Sequence, residues 1–177
     1  VHGSRGLGDV YKRQSAYIDQ RSIDKKVYPK QIAFNSIPFV DCFLENNYTR
    51  EEMKMVWETH KILDENISVN PTAVRVPVLV GHAESIYIET EKEIDIELAK
   101  NCLNEFAGIS VIDNVQEVDF PTSFEHGHGT DDVYVGRIRK GLSKNNSLNL
   151  WVVADNVRKG AALNSIQIAE NLVGSEM

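Results

Sequence analysis

The chain has 177 residues, 42% hydrophobic and 25% charged, which suits one ordinary globular domain with a true core or two small ones. A net charge of −7 argues against nucleic acid or an anionic membrane as a partner, and no apolar run is long enough to cross a bilayer. Two cysteines cannot build a disulfide framework and the N-terminus shows no apolar signal region, so a reduced, cytoplasmic setting is expected.

Residues 1–14 are rich in Gly and charge, have no periodicity and read as a non-native or disordered leader. Residues 15–30 are polar and read as a loop, and 31–44 as an extended packed segment around Pro38. Thr49-Arg-Glu-Glu52 is a capping box, and the helix it opens places Met53, Val56, Trp57, His60 and Leu63 on one face. Val74 to Val80 reads as the first strand and Ser85 to Thr90 as the second. Asp95 caps a helix with Leu98, Ala99, Cys102, Leu103 and Phe106 inward, closed by Gly108. Strands follow at 109–112, 133–138 and 148–154. Asp155 or Asn156 then caps a last helix with Ala162, Ile166, Ala169 and Leu172 on its apolar face. Several strands are adjacent in sequence, so the fold class expected is α+β: a mostly antiparallel or mixed sheet with helices packed on it.

Chemistry concentrates in Ala73-Val-Arg75-Val-Pro-Val-Leu-Val-Gly81-His82. Arg75 is a cation within an apolar strand, and His82 is an imidazole, suited to proton transfer near neutral pH, just after a glycine. The two are seven positions apart, an odd number, so an unbroken strand would send them to opposite faces. Gly81 must interrupt the strand if both are to serve one site. The alternative is that Arg75 pairs with a carboxylate and His82 sits in an ordinary turn. His126, His128, Asp131 and Asp132 lack metal-ligand spacing and read as a polar surface loop, so no metal is expected. Arg137, Arg139, Lys140 and Lys144 form a basic cluster, which the overall acidity separates from nucleic-acid binding.

The chain resembles the C-terminal half of aspartate-semialdehyde dehydrogenase over about Tyr28 to Leu172. The resemblance is carried by Pro29-Lys-Gln-Ile-Ala-Phe-Asn35, Tyr48-Thr-Arg-Glu-Glu-Met-Lys54, Arg75-Val-Pro-Val-Leu-Val-Gly-His82, Val135-Gly-Arg-Ile-Arg139, Asn149-Leu-Trp-Val-Val-Ala-Asp-Asn156 and Arg158-Lys-Gly-Ala-Ala162. It implies a C-terminal domain like those of aspartate-semialdehyde and glyceraldehyde-3-phosphate dehydrogenases. It also implies reduction of aspartyl phosphate by NADPH, in lysine, threonine and methionine biosynthesis, with a homodimer or higher oligomer as the assembly. It puts the acid/base role on His82, the substrate carboxylate on Arg75, phosphate on Lys54, the substrate ammonium on Glu52 and a contact to the cofactor NADP on Asn156. Glu52 and Asn156 are each also explained as helix caps.

The family's Gly-rich dinucleotide loop and its Asn-Cys nucleophile motif have no match here. The glycines of Gly3-Ser-Arg-Gly-Leu-Gly8 follow no strand. Cys102 falls on the apolar side of its expected helix, where a thiol is inert packing, and Cys42 follows an acid that disfavours a thiolate. The expected organisation is therefore a leader at 1–14, a catalytic and dimerisation domain at 15–154, and a C-terminal helix at 155–177 that packs on a cofactor domain outside this chain. The expected function is that of an enzyme fragment inactive alone. A non-catalytic dimerisation module of the same fold is the competing expectation.

Overall fold

The computed structural model describes residues 12, 14–19 and 28–174, so most of the expected leader lies outside the described residues. The chain divides into two compact units, Val1–Leu79 and Val80–Met177. Among the described residues no helix is long and apolar enough to cross a membrane.

The first unit holds a helical turn at 14–18, where the sequence reads as loop, and helix α1, Arg50–Ile62. The capping box at the start of α1 forms in full. The Glu52 N–H donates to Thr49 Oγ1 at 3.3 Å, and the Thr49 N–H donates to Glu52 Oε2 at 2.7 Å. The small core of this unit is Ile32 and Ile37, with Tyr28 and Phe39 against it. The expected strand at 74–80 is corrected. Only Arg75 pairs, through reciprocal N–H to O bonds with Ile37 at 2.8 and 2.9 Å. Pro77 has no N–H to give, so a ladder cannot continue past it. The faces of this segment are also the reverse of a buried apolar strand. Val74, Val76 and Val78 are 43–46% exposed, while Arg75 is half-buried. On α1 Glu52 is buried and Met53, Val56 and His60 are half-buried, whereas Trp57 and Leu63, expected inside, are exposed.

The second unit is a four-stranded mixed sheet. Its strands are β1 (His82–Glu89), β2 (Ile109–Val111), β3 (Val133–Lys140) and β4 (Ser147–Ala154), in spatial order β1-β4-β3-β2. β1 and β3 run antiparallel to β4, and β2 runs parallel to β3. Helix α2, Ile96–Glu105, links β1 to β2, and the Asp95 carboxylate accepts the Leu98 N–H at 3.0 Å as its cap. The core lies on one sheet face: Val135, Ile138, Leu148 and Leu150 are buried, with Ile86, Ile96 and Leu103 packed against them.

The apolar stripe of α2 departs from expectation. Ile96, Ala99 and Leu103 turn toward the sheet, whereas Leu98, Cys102 and Phe106 are exposed, so the expected buried Cys102 is corrected to a surface position. The narrow sheet covers only part of a stripe that the sequence makes wide. Helix α3, Leu163–Gly174, follows a π-helical turn, Arg158–Ala162, and has no buried residue. Its expected inner face is exposed, with Ile166 and Leu172 at 56% and 65%.

The opposite face of the sheet carries a second π-helical turn, Ser123–Gly127. Gly136 makes room for it. A Cβ there would collide with the Ile112 carbonyl and the Pro121 ring, and the neighbouring Trp151 Nε1–H donates to the Pro121 carbonyl at 3.0 Å. This turn reaches the end of β1 where His82 stands.

Candidate functional site

In the second unit, β1 begins at His82, whose register partner is Ala154, the last residue of β4. The chain enters β1 through Gly81, buried and held at φ +79°, a left-handed conformation that glycine adopts without strain. Among the described residues no strand precedes Gly81 for it to interrupt; its left-handed backbone turns the chain into the start of β1. Asn156, two residues past the end of β4, accepts the Gly81 N–H on its Oδ1 at 3.3 Å. Its amide N–H groups make no hydrogen bond to another described residue. The Ser123 hydroxyl donates to the His82 carbonyl at 3.4 Å. The His82 side chain is exposed and its ring nitrogens are engaged by no described residue. The arrangement is an exposed imidazole mounted on a backbone held by three neighbours.

The cap after β4 is Asp155. Its Oδ1 accepts the N–H groups of Val157 and Arg158 at 2.8 and 2.9 Å, and its Oδ2 accepts that of Gly129 at 2.8 Å. Burial pushes the Asp155 carboxyl upward, but the Arg158, Gly129 and Val157 amides outweigh it and the net displacement is down. Of the two cap candidates, Asp155 binds the amides that lead into the π-helical turn and Asn156 turns its side chain to Gly81, so neither side chain caps α3 itself.

In the first unit the Arg75 guanidinium lies over the Tyr28 ring, 5.1 Å from its centroid, a cation–π contact. Among the described residues it forms no ion pair, so its charge and its bidentate edge are available to an anion. Glu52 is committed on both oxygens: besides Thr49, the Ala73 N–H donates to its Oε1 at 2.9 Å, two residues before Arg75. The Thr49 amide first, then that of Ala73, holds the Glu52 carboxyl below its ordinary value, so it is a buried, ionised group. Lys54 is about half exposed and meets Glu51 at 3.3 Å, a surface pair of little energy that a stronger anion can displace.

The structure thus groups His82 with Asn156 in one unit and Arg75 with Glu52 in the other. Sequence reasoning missed Ser123, the stacking of Tyr28 under Arg75, and the bond from Gly129 to Asp155, which it named only as a cap candidate. Ser123 and Asp155 act across 41 and 26 residues of chain, and no local pattern signals a contact at that separation. His126, set aside as loop, accepts the Thr122 N–H on Nδ1 at 3.2 Å and packs on Tyr134.

The family model for the semialdehyde dehydrogenase dimerisation domain matches residues 2–159. Over 172 residues the chain is 52% identical to the aspartate-semialdehyde dehydrogenase of Shewanella violacea, covering 97% of this chain and 50% of that protein. A solved aspartate semialdehyde dehydrogenase II of Vibrio cholerae, complexed with ASA, aligns with a TM-score of 0.93 at 46% identity, over 98% of this chain and 51% of that one. An aspartate semialdehyde dehydrogenase of Candida albicans, solved with NADP, aligns with a TM-score of 0.65 at 27% identity, over 79% and 44% of the two chains. The chain spans about half the length of the curated relatives it matches. On these matches the chain belongs to the aspartate-semialdehyde dehydrogenase family and carries its dimerisation domain.

Proposed function

We propose that the chain supplies the acid/base group and the substrate-holding side chains of an NADP-dependent aspartate-semialdehyde dehydrogenase of the cytoplasm. The reaction of that enzyme reduces aspartyl phosphate to aspartate semialdehyde and phosphate on the way to lysine, threonine and methionine. The thiol nucleophile and most of the cofactor site belong, in this reading, to the half of the relatives' length that this chain does not span. His82 accepts the thiol proton as the acyl phosphate is attacked and phosphate leaves, and returns it to sulfur as the aldehyde is released. NADPH, when bound, supplies the hydride that reduces the thioester. Arg75 holds the substrate carboxylate, Lys54 the phosphate, and the ionised Glu52, each oxygen keeping a lone pair beyond its one backbone donor, the substrate ammonium. Asn156 fits the cofactor in that its oxygen is taken by Gly81 while its amide N–H groups remain free beside His82. The exposed apolar side of α3 packs on the cofactor domain, and a second copy of the chain completes a homodimer.

The observation that carries this reading is the joint placement of a free imidazole and a free amide where β1 and β4 meet, in a chain of this family. Two measurements test it. The purified chain, given semialdehyde, phosphate and NADP, is expected to form no NADPH. In the full-length parent, His82→Gln is expected to lower kcat by roughly 10²–10⁴-fold, the usual share of a general acid/base. Turnover by this chain alone, or unimpaired turnover in the His82 variant, would sink the assignment. The competing reading, a dimerisation module without catalysis, draws on the family description alone. It requires the His82 variant of the parent to turn over at the parent's rate.

A further inference from the structure

β4 ends in a buried carboxylate that the reaction scheme above leaves unused. Asp155 is 7% exposed and accepts three backbone N–H groups. Two of these, from Val157 and Arg158, are what a helix cap does. The third is different: Gly129 lies 26 residues away, at the end of the loop that leaves the Ser123–Gly127 turn. One carboxylate therefore fastens two separate pieces of backbone. The first piece is the turn that carries Asn156, whose Oδ1 holds the Gly81 N–H. The second is the loop that carries Ser123, whose hydroxyl holds the His82 carbonyl. The Ser123 Cβ also limits the space at Gly81, where an added Cβ would approach it to 3.1 Å. Apart from the β1–β4 ladder, the side-chain hydrogen bonds to the Gly81–His82 backbone among the described residues thus come from the two segments that Asp155 fastens.

We propose that Asp155 is a positioning residue. Through the Asn156 turn and the Gly129 loop it sets the backbone of Gly81 and His82, and so the direction in which the imidazole is presented. The proposal rests on the reading of His82 as the acid/base group for its functional meaning. Its test needs no turnover, so the two can fail separately: His82→Gln in the parent enzyme judges the role of the imidazole, and the following judges its mounting.

Asp155→Asn keeps the size of the side chain but offers an amide to Gly129 in place of an acceptor oxygen. In this chain, amide hydrogen exchange and the ring signals of His82 are read by NMR. The expected result is exchange at Gly129 and Gly81 faster by about tenfold or more, with displaced His82 ring signals, while Leu150 and Val152 in the sheet exchange as before. Ser123→Ala is expected to displace the His82 signals and leave Gly129 protected. Unmoved His82 signals in a folded Asp155→Asn chain would overturn the proposal. So would equal acceleration at Leu150 and Gly81, which would make Asp155 a general stabiliser. Should Asp155→Asn fail to fold, Asp155→Glu, which keeps the charge and displaces the oxygens, is judged by the same readings.

Discussion

Gly81 sits at φ +79°, and a Cβ there would lie 3.1 Å from the Ser123 Cβ and 3.3 Å from the Ala154 carbonyl oxygen. An alanine must carry both the left-handed backbone and the crowding. Gly81→Ala is therefore expected to destabilise the chain by about 1–3 kcal/mol in urea titrations, the range for a residue forced into a sparse backbone region. A neutral result would show that the turn relaxes freely. Glu52 makes a prediction about pH. Its carboxyl is held low by the Thr49 and Ala73 amides, so it loses its proton more readily folded than unfolded. The stability this contributes is complete above the unfolded value of about 4.3 and disappears as pH falls through the lower folded value. Urea titrations at stepped pH should show the chain weakening over that acid window. Glu52→Gln, less stable at neutrality because the Ala73 or Thr49 amide loses a charged acceptor, should show a shallower dependence there. Equal slopes for the two chains would remove Glu52 from the account.

Among the elements, β3 depends on one irregular residue. Between Gly136 and Arg139 the strand advances three positions while β4 advances two, from Trp151 to Asn149, so β3 holds one extra residue. Arg137 occupies this bulge at φ +53°. The extra residue resets the alternation, bringing Ile138 rather than Arg137 to the core face, where it is 5% exposed. Ile138→Ala should cost about 2–5 kcal/mol, as truncation of a packed core side chain does. Arg137→Gly, which removes only the strain of a left-handed arginine, should raise the melting temperature or leave it unchanged. A large loss from Arg137→Gly would mean that the arginine side chain itself holds the bulge.

The bulge also marks a limit of what the sequence shows. Helix caps are local, so the Thr49–Glu52 capping box and the Asp95 cap were readable from residue type and spacing alone, and so were the four strands of the sheet, though not the absence of one at 74–80. A one-residue insertion in a ladder leaves no compositional trace in Val-Gly-Arg-Ile-Arg. The outward valines of 74–78 and the exposed Leu98 and Phe106 were unreadable for another reason: periodicity reveals that a face is apolar, not what covers it. Arg75 and His82 drew notice by residue type alone, and a glycine at 81 signalled a backbone that departs from a strand, which its φ of +79° bears out. Ser123 carried no such mark, and Asp155 was marked only as a cap candidate, because the bonds of Ser123 to His82 and of Gly129 to Asp155 join segments distant in sequence.

At the scale of the whole molecule, the two units differ in how much they bury. Among the described residues the first has a core of only Ile32 and Ile37, flanked by Tyr28 and Phe39. The second closes four strands and a helix over Val135, Ile138, Leu148 and Leu150, with Val153 fully buried on the other face. Apolar burial is the main favourable term in folding, so the first unit should open at lower denaturant than the second. The chain carries its own reporters. It has two tryptophans, Trp57 on α1 in the first unit and Trp151 on β4 in the second. Trp57 is half exposed, and Trp151 is partly buried with its indole N–H bonded to the Pro121 carbonyl. Trp151→Phe leaves Trp57 to report the first unit, and Trp57→Phe leaves Trp151 to report the second. Urea titrations followed by fluorescence should place the Trp57 midpoint below the Trp151 midpoint, with circular dichroism of the unaltered chain spanning both. Coincident midpoints would mean that the units unfold as one cooperative body. In that case the small core of the first unit draws its stability from the second, and a substitution such as Ile138→Ala should then lower the Trp57 midpoint as much as that of Trp151.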